Sequence, residues 1–393
     1  MKFKTLTIGD IASVQTGPFG SQLHKKDYVL VGTPIVTVEH LGQRKMTRQN
    51  LPCVSEVDKN RLSKYTLQYG DLVFSRVGSV DRCSWVSEDE NGWMFSGRCL
   101  RVRPKDPSEI YHKYLYYFFN LESTKDFVRN ISVGATMPSI NTRLLSEVPI
   151  SYPGIEEQRQ IGDVLSAFDD RIEANIRINH HLEQMAQTIF KSWFVDFEPF
   201  GGEMPSDWRE GILSEVAAVT MGQSPDGASY NEDGIGTVFY QGRADFGSRY
   251  PTRRLFTTQP KRMVAKGDVL MSVRAPVGDL NVAFESCCIG RGLAGIQSDS
   301  GCQSFNLYTM FALKQQLDMF NGEGTVFGSI KKNDMATLPV LIPSDEVIHQ
   351  FEELVSPMDA TIEANYAENC NLKAAREALL PRLMSGELSL VDI

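Results

Sequence analysis

The sequence predicts an α+β protein with two similar globular α/β domains, separated by two long antiparallel coiled-coil helices and related by a pseudo-twofold internal repeat. Two observations carry this prediction. The stretch Ile172-Glu173-Ala174-Asn175 returns 190 residues later as Ile362-Glu363-Ala364-Asn365. In each half, short runs of β-branched residues precede a long heptad pattern, which is typical of strands followed by a coiled-coil helix. A period this long indicates a duplicated module rather than a solenoid.

The repeat also places the domain boundaries. Earlier in each half the interval grows, because Gly70 pairs with Gly267 at 197 residues and Gly17 with Gly222 at 205. Loops tolerate such drift, so the first globular half is expected to carry extra loop residues. A chain of 393 residues has room for several domains. The predicted boundaries are 1–150 and 199–343 for the globular domains, and 151–198 and 344–393 for the helical regions.

Two helical segments give the clearest local signal. Their apolar positions step four, three, four, three without a break, which is the a/d rhythm of a coiled coil. Helix starts are expected after Pro153 and Pro343, and Pro357 is expected to kink the second helix or delay its start. The predicted seam consists of Ile161, Leu165, Phe168, Ile172, Asn175, Asn179, Leu182 and Ile189, and of Phe351, Val355, Met358, Ile362, Asn365, Asn369, Leu372 and Leu379.

Two asparagines interrupt each apolar seam, Asn175 and Asn179 in the first helix and Asn365 and Asn369 in the second. A buried polar residue selects register, because only a matching partner satisfies its hydrogen bonds. The simplest solution pairs the helices antiparallel, asparagine against asparagine. The alternative is that each helix packs only on its own domain. Aromatic patches at 110–119 and 305–313 are interpreted as core helices.

Composition narrows the class of protein. No apolar stretch is long enough to span a membrane, and no secretory signal is visible at the N-terminus, so a cytoplasmic protein with reduced cysteines is expected. The net charge of −9 is uneven: the predicted domains carry +5, −5, −2 and −7 in chain order. Acidity is therefore concentrated in the helical regions. Residues 241–274 carry eight basic side chains, so a polyanionic partner remains compatible with the acidic total.

Two similar modules in one chain suit a linear ligand with pseudo-twofold symmetry, and DNA is the obvious one. Base edges are read by side chains with paired donors, and glycines let the backbone approach phosphate. Loops that meet both conditions occur in each half. The candidate DNA contacts are Gln15, Thr16, Gly17, Ser21, Gln22, Lys25, Lys26, Arg76 and Thr136 in the first, and Gln223, Ser224, Gln241, Arg243, Arg274 and Thr325 in the second. Arg274 is taken as the equivalent of Arg76.

Several stretches, in this order and in duplicate, make the chain resemble the specificity (S) subunit of type I restriction-modification enzymes along nearly its whole length. The most specific is Trp193-Phe194-Val195-Asp196-Phe197-Glu198-Pro199, which looks like the end of that family's central helical region. The others are Gly70–Arg76, Gly134–Asn141, Pro149–Pro153, Glu156–Ile161 and Leu380–Gly386.

The resemblance implies two target recognition domains, each reading one half of a split, asymmetric double-stranded DNA sequence. The helices would set the unread spacer and dock two modification (methyltransferase) subunits, and restriction subunits would join for cleavage. The chain itself would have no catalytic role and no cofactor. S-adenosylmethionine, Mg and ATP would belong to the partner subunits.

The residues also argue against chemistry in this chain. It has no phosphate-binding P-loop motif. The adjacent His180 and His181 diverge by about 100° on a helix and cannot chelate one metal ion together, so no metal site is predicted. Two other classes stay open: a stand-alone sequence-specific DNA-binding or assembly scaffold without modification subunits, and a fused enzyme, which would need a methyltransferase or nuclease motif.

Overall fold

The structure is a computed structural model that describes residues 2–42, 44–322 and 328–390. The chain forms two compact units. Unit 1 comprises Met1–Glu173 together with Cys370–Ile393, and unit 2 comprises Ala174–Asn369. Each unit therefore contains a globular domain and parts of both long helices, which pass from one unit into the other.

The described part of unit 1 forms three small sheets and five short helices. The sheet orders are β1-β10, β2-β9-β6-β7 and β3-β5-β4-β8, and only the β4–β8 pair is parallel. The strands are β1 Lys4–Thr7, β2 Ala12–Thr16, β3 Tyr28–Val29, β4 Thr33–Val36, β5 Cys53–Val54, β6 Leu72–Ser75, β7 Cys83–Trp85, β8 Met94–Phe95, β9 Cys99–Pro104 and β10 Pro149–Tyr152. The helices are α1 Ile8–Ile11, α2 Glu56–Arg61, α3 His112–Asn120, α4 Glu122–Ile131 and α5 Thr142–Ser146.

The described part of unit 2 repeats this topology. Its sheet orders are β11-β21, β12-β20-β17-β18 and β13-β15-β14-β19-β16, so the third sheet gains the edge strand β16. The strands are β11 Arg209–Ile212, β12 Ala217–Met221, β13 Tyr230–Asn231, β14 Thr237–Tyr240, β15 Phe256–Thr257, β16 Met263–Val264, β17 Val269–Ser272, β18 Leu280–Val282, β19 Cys287–Ile289, β20 Leu293–Ser298 and β21 Pro339–Ile342. The short helices are α7 Gln303–Ala312, α8 Lys314–Asp318 and α9 Lys332–Ala336.

The two long helices are α6, Ile155–Phe194, and α10, Asp345–Ser385. Both begin just after the prolines that predicted their starts, with acidic residues in the first turn, where the helix dipole favours negative charge. All sixteen predicted seam residues are buried or half-buried, as side chains on the inner face of a helix are. Helix α10 continues through Pro357, so the alternative of a delayed start is wrong. Val355, two residues before the proline, is fully buried, and burial of such a side chain contributes about 1.5–3 kcal/mol against a proline cost of about 3 kcal/mol.

Asparagines join the two helices as the sequence predicts. Asn175 Nδ2 donates to Asn369 Oδ1 at 2.9 Å, and Asn365 Nδ2 donates to Asn179 Oδ1 at 2.8 Å. The later residue of one helix meets the earlier residue of the other, so the helices run antiparallel here. All four residues belong to unit 2. The predicted internal repeat, with two similar α/β domains and two long antiparallel helices, is thus confirmed.

The hydrophobic core of each unit includes side chains of both long helices. In unit 1, Ile161 and Leu165 of α6 share a core with Leu380 and Leu383 of α10 and with the aromatic side chains of α3. In unit 2, Phe190 and Phe194 of α6 share a core with Phe351 and Val355 of α10 and with the side chains of α7. The aromatic patches are therefore core, as predicted. Each long helix therefore packs on a globular domain and also pairs with the other helix, so the two alternatives are not exclusive.

His112, at the start of α3, predicts a pH dependence for unit 1. Its ring lies edge-on to Tyr69, Trp85 and Tyr111, with centroids 4.9, 5.7 and 4.9 Å away. Burial lowers its pKa from 6.5 to about 4. Between pH 6.5 and pH 4 the imidazole is therefore protonated in the unfolded chain but neutral in the folded unit. The free energy of unfolding falls as the pH drops towards 4. From pH 7 to pH 5 we expect a loss of about 2 kcal/mol.

Urea unfolding at both pH values checks this expectation. The variant His112→Gln should lose most of the pH dependence, whereas His24→Gln, at an exposed position in the same unit, should retain it. Equal pH dependence in wild type and His112→Gln would show that another group is responsible.

Candidate nucleic-acid interface

Unit 2 contains a cavity of about 280 Å³ that brings together four of the side chains predicted from the sequence, namely Ser224, Gln241, Arg243 and Arg274. They come from distant parts of the chain, after β12, β14 and β17. The remaining lining residues are Gly242, Ala275, Arg291 and Gly292. Gln223, also predicted, is exposed next to Ser224, and its backbone N–H donates to Ile289 O at 3.0 Å. Thr325 lies outside the described residues.

Glycines allow the backbone segments of this cavity to approach one another. A Cβ on Gly222 would lie 2.1 Å from Gly290 O, and a Cβ on Gly292 would lie 2.9 Å from Gln241 O. The hydrogen bond from Gly290 N to Tyr240 O, 2.9 Å, joins the same segments. Side chains at Gly222 and Gly292 would therefore push the walls apart.

Asp245 fixes the backbone on which Gln241 is presented. This carboxylate is buried and accepts from Gln241 N at 2.7 Å and from Gly242 N at 3.3 Å. Its other oxygen accepts from Arg254 Nη2 at 3.0 Å. The Gln241 side chain remains exposed at the cavity. Asp245 thus holds the backbone of Gln241 and Gly242, whereas the side-chain amide of Gln241 remains accessible to a ligand.

Most of the basic run at 241–274 is neutralised inside unit 2. Ion pairs hold five of its eight cations: Arg243 with Asp279, Arg249 with Asp359, Arg253 with Glu285, Arg254 with Asp245, and Lys266 with Glu363. In the part of the chain that the structure describes, only Lys261, Arg262 and Arg274 of this run form no ion pair. The local positive field is therefore weaker than the sequence predicts.

Arg291 is an interface residue that the sequence analysis missed. It is exposed at the cavity between Gly290 and Gly292, and its backbone N–H donates to Ser224 Oγ at 3.4 Å. The other loops were selected because they combine a side chain with paired donors and a glycine that lets the backbone approach phosphate. Arg291 between two glycines meets this criterion, so the sequence alone could have identified it.

In unit 1, internal hydrogen bonds hold several predicted contacts. Gln15 Oε1 accepts from Arg101 Nη2 at 2.5 Å, and Gln22 Oε1 accepts from Tyr65 O–H at 2.8 Å. Arg76 is half-buried and its Nη1 donates to Gly97 O at 3.0 Å. Each of these side chains would have to exchange or share a partner to contact DNA.

The remaining unit 1 candidates differ in exposure. Lys25, Lys26 and Thr136 are exposed, Thr16 is half-buried, and Ser21 lies in the 3₁₀ turn Gly20–Gln22. A Cβ on Gly17 would lie 2.2 Å from Ser96 O, and a Cβ on Gly222 would lie 2.1 Å from Gly290 O, so the two glycines occupy corresponding positions.

Hydrogen bonds correct the predicted equivalence of Arg76 and Arg274. Ile140 N donates to Arg76 O, and Ile330 N donates to Val273 O, which aligns Arg76 with Val273 and shifts Arg274 one position further. The residues just before β9 and β20 show the same offset. Arg76 N donates to Arg98 O, and Val273 N donates to Gly292 O. Arg98 thus aligns with Gly292, and Arg291 with Gly97. The two units share a backbone but place their arginines differently.

A sequence profile of the type I restriction modification DNA specificity domain matches residues 1–184 and 205–374. The chain belongs to the type I specificity-subunit family. A chain from Methanocaldococcus jannaschii, named as the MjaX specificity subunit, is 31% identical, with 91% of this chain and 88% of the relative covered. The HindI specificity subunit of Haemophilus influenzae is 23% identical, with 83% and 88% covered.

A solved structure confirms the fold of this specificity subunit. The crystal structure of the type I S subunit from M. genitalium matches with a TM-score of 0.66 and 16% identity, and covers 97% of this chain and 96% of that one. At this identity the match concerns the fold alone. It extends over both recognition domains and both long helices.

Equivalent arginines fasten each domain of the specificity subunit to a long helix. Thr47 N donates to His40 O and Thr252 N to Asp245 O, which aligns Arg44 with Arg249. In unit 1, Arg44 is buried against the Trp85 ring at 5.2 Å and pairs with Asp170 at 2.6 Å and Glu173 at 2.7 Å. Burial alone would lower the pKa of Arg44, but these carboxylates raise it.

In unit 2, Arg249 is almost fully buried over the Tyr308 ring and pairs with Asp359 of α10. Tyr308 O–H donates to the same carboxylate at 2.9 Å, as Tyr117 O–H donates to Asp169 at 2.5 Å in unit 1. Burial would lower the pKa of Arg249, and Asp359 reverses the shift. These contacts orient each domain on the helix that supports it.

The described residues contain no cluster of His, Cys, Asp and Glu that could hold a metal ion. Within the same residues, no helix has the length and apolar character needed to cross a membrane.

Proposed function

We propose that this specificity subunit binds a bipartite, asymmetric DNA target, with one half read by the recognition domain of each unit. The supporting observation is that the two domains share a backbone topology but carry arginines at non-equivalent positions. Arg76 and Arg98 correspond to Val273 and Gly292, whereas Arg274 and Arg291 correspond to Val77 and Gly97. Donors in different places on the same frame read different bases, because base readout depends on the position of each donor.

In this proposal the chain performs no chemistry. Two modification subunits dock on the helical regions and supply S-adenosylmethionine and adenine methylation, and restriction subunits join with ATP and Mg for cleavage in the cytoplasm. The helical regions suit protein partners, because their net charges of −5 and −7 repel phosphate.

In this proposal the modification subunit docks on exposed apolar side chains of α6. Ile178 and Met185 are 43% and 52% exposed, and seven residues bring them to the same helix face. The double substitution Ile178→Glu and Met185→Glu should reduce recovery of the modification subunit with this chain at least tenfold in co-purification. Val57→Glu, at an exposed apolar position on α2, is the matched control. Equal recovery with both variants would exclude this face.

Methylome sequencing tests the function as a whole. Cells that express this chain with its cognate modification subunit are compared with cells that lack the chain. A methyladenine motif in two short, unlike halves that disappears without the chain is the expected result. If the subunits assemble but no chain-dependent motif occurs, the scaffold function is favoured instead.

A further inference from the structure

Two arginines of the unit 2 cavity have free guanidinium groups. Arg274 and Arg291 are exposed at the cavity, and neither guanidinium forms an ion pair or hydrogen bond with any residue that the structure describes. Arg243 lines the same cavity, but its Nε is bound to Asp279. A second cavity of about 420 Å³, lined by Arg243, Asp279 and Asn281, lies on the Asp279 side. Arg243 is therefore held in place, whereas Arg274 and Arg291 remain available to a ligand.

We propose that this cavity reads the major-groove edge of a guanine, with Arg274 and Arg291 as specificity-determining donors. The inference rests on the proposed function and deepens it, since it names a base in the half-site that unit 2 reads. The lining offers three arginines, one amide and one hydroxyl, and no carboxylate. Guanine presents two acceptors, N7 and O6, and no donor in the major groove, and arginine pairs with both at once.

The other bases fit this lining less well. Adenine and cytosine each present an amino donor, for which the cavity offers only the Gln241 and Ser224 oxygens as side-chain acceptors. Thymine presents a single acceptor beside a methyl group. A backbone phosphate would match the positive charge equally well, but it carries no sequence information. The experiment therefore separates base reading from phosphate binding.

Substitutions that keep the charge make this separation. Lysine retains the attraction to phosphate but loses the paired donors of arginine. Arg291→Lys and Arg274→Lys are compared with Arg291→Ala, Arg274→Ala and wild type, each expressed with the modification subunit and followed by methylome sequencing. We expect both lysine variants to relax the same guanine position, with a 5- to 150-fold loss of discrimination at that position and little change elsewhere. Lys261→Ala, a cation outside the cavity, should leave the motif intact.

Three results would overturn the inference: an unchanged motif in all four arginine variants, relaxation at a base other than guanine, or wild-type behaviour of the lysine variants with a uniform loss for the alanine variants. The last result would identify phosphate contacts. A wild-type chain without any split motif would instead refute the proposed function, so the two failures are distinguishable.

Gly242 offers an independent steric test. A Cβ at this position would meet no described atom within 4 Å, and its φ of −178° is extended backbone that alanine adopts. Gly242→Ala should therefore leave thermal stability unchanged but reduce DNA binding by the assembled complex at least tenfold, because the methyl group enters space that the base edge needs. Gly227→Ala, equally unobstructed but outside the cavity, is the control. Wild-type binding by Gly242→Ala would overturn the placement of the base.

Discussion

Replacement of residues 1–150 by the corresponding segment of another family member should change one half of the methylated target completely and leave the other half intact. Every residue of the unit 2 cavity lies between 224 and 292, so the exchange does not alter it. Methylome sequencing of cells that carry the hybrid measures both halves at once. A change in both halves, or in neither, would contradict the assignment of one half-site to each recognition domain.

The structure shows how such a hybrid should be built. Arg44 and Tyr117 of the exchanged segment bind the α6 carboxylates Asp170, Glu173 and Asp169, which the recipient supplies. A donor with an arginine and a tyrosine at these positions preserves the contacts. A donor without them would leave the carboxylates without these partners. The matched control exchanges the whole of unit 1, residues 1–173 and 370–393, so that both sides of the contact come from one parent.

Asp359→Ala should destabilise unit 2 by about 3–5 kcal/mol, because it removes the main counter-ion of a buried guanidinium. Arg249 is only 6% exposed, and the other carboxylate paired with it among the described residues, Glu183 Oε1, lies 3.9 Å away. Tyr308 loses its acceptor as well. Urea unfolding followed by tryptophan fluorescence measures the change, and Trp193 and Trp208, both in the core region of unit 2, report on this unit.

Two further variants make the expectation specific to the buried charge. Glu353→Gln changes an exposed carboxylate on the same helix and should alter the free energy of unfolding by less than about 0.5 kcal/mol. Arg249→Met combined with Asp359→Leu removes both charges and should recover most of the lost stability. If the double variant is as unstable as Asp359→Ala, packing rather than the unpaired charge explains the loss.

The long helices could be predicted from sequence because their signal is local. The four-three spacing lies within the helices themselves, and the two starting prolines, Pro153 and Pro343, lie two residues before them. The asparagines of one helix match those of the other by simple repetition. Pro357 shows the limit of a local rule, since the helix continues through it and Val355, two residues before it, is buried in the core of unit 2. That burial depends on packing with other elements, which the local sequence does not reveal.

The candidate interface was only partly predictable, for a different reason. The ion pairs that neutralise Arg253 and Lys266 come from Glu285 and Glu363, 32 and 97 positions away in sequence. The one-residue offset between Arg76 and Arg274 depends on backbone hydrogen bonds, which residue spacing does not contain. Residue type located the loops around the cavity, whereas charge balance and register required the fold.

The path of the chain through the two units also affects how the protein is made. Unit 2 is one continuous segment, residues 174–369, whereas the core of unit 1 needs Leu380, Leu383 and Met384 in addition to residues from its first 165 positions. During synthesis, the ribosome therefore completes unit 2 before unit 1 has all of its core. Closure of unit 1 spans about 200 residues of chain, which makes its folding slow and leaves apolar surface exposed in the meantime. The domain that is translated first is the one that is finished last, and a released chain truncated just before residue 380 should contain a folded unit 2 and an incomplete unit 1.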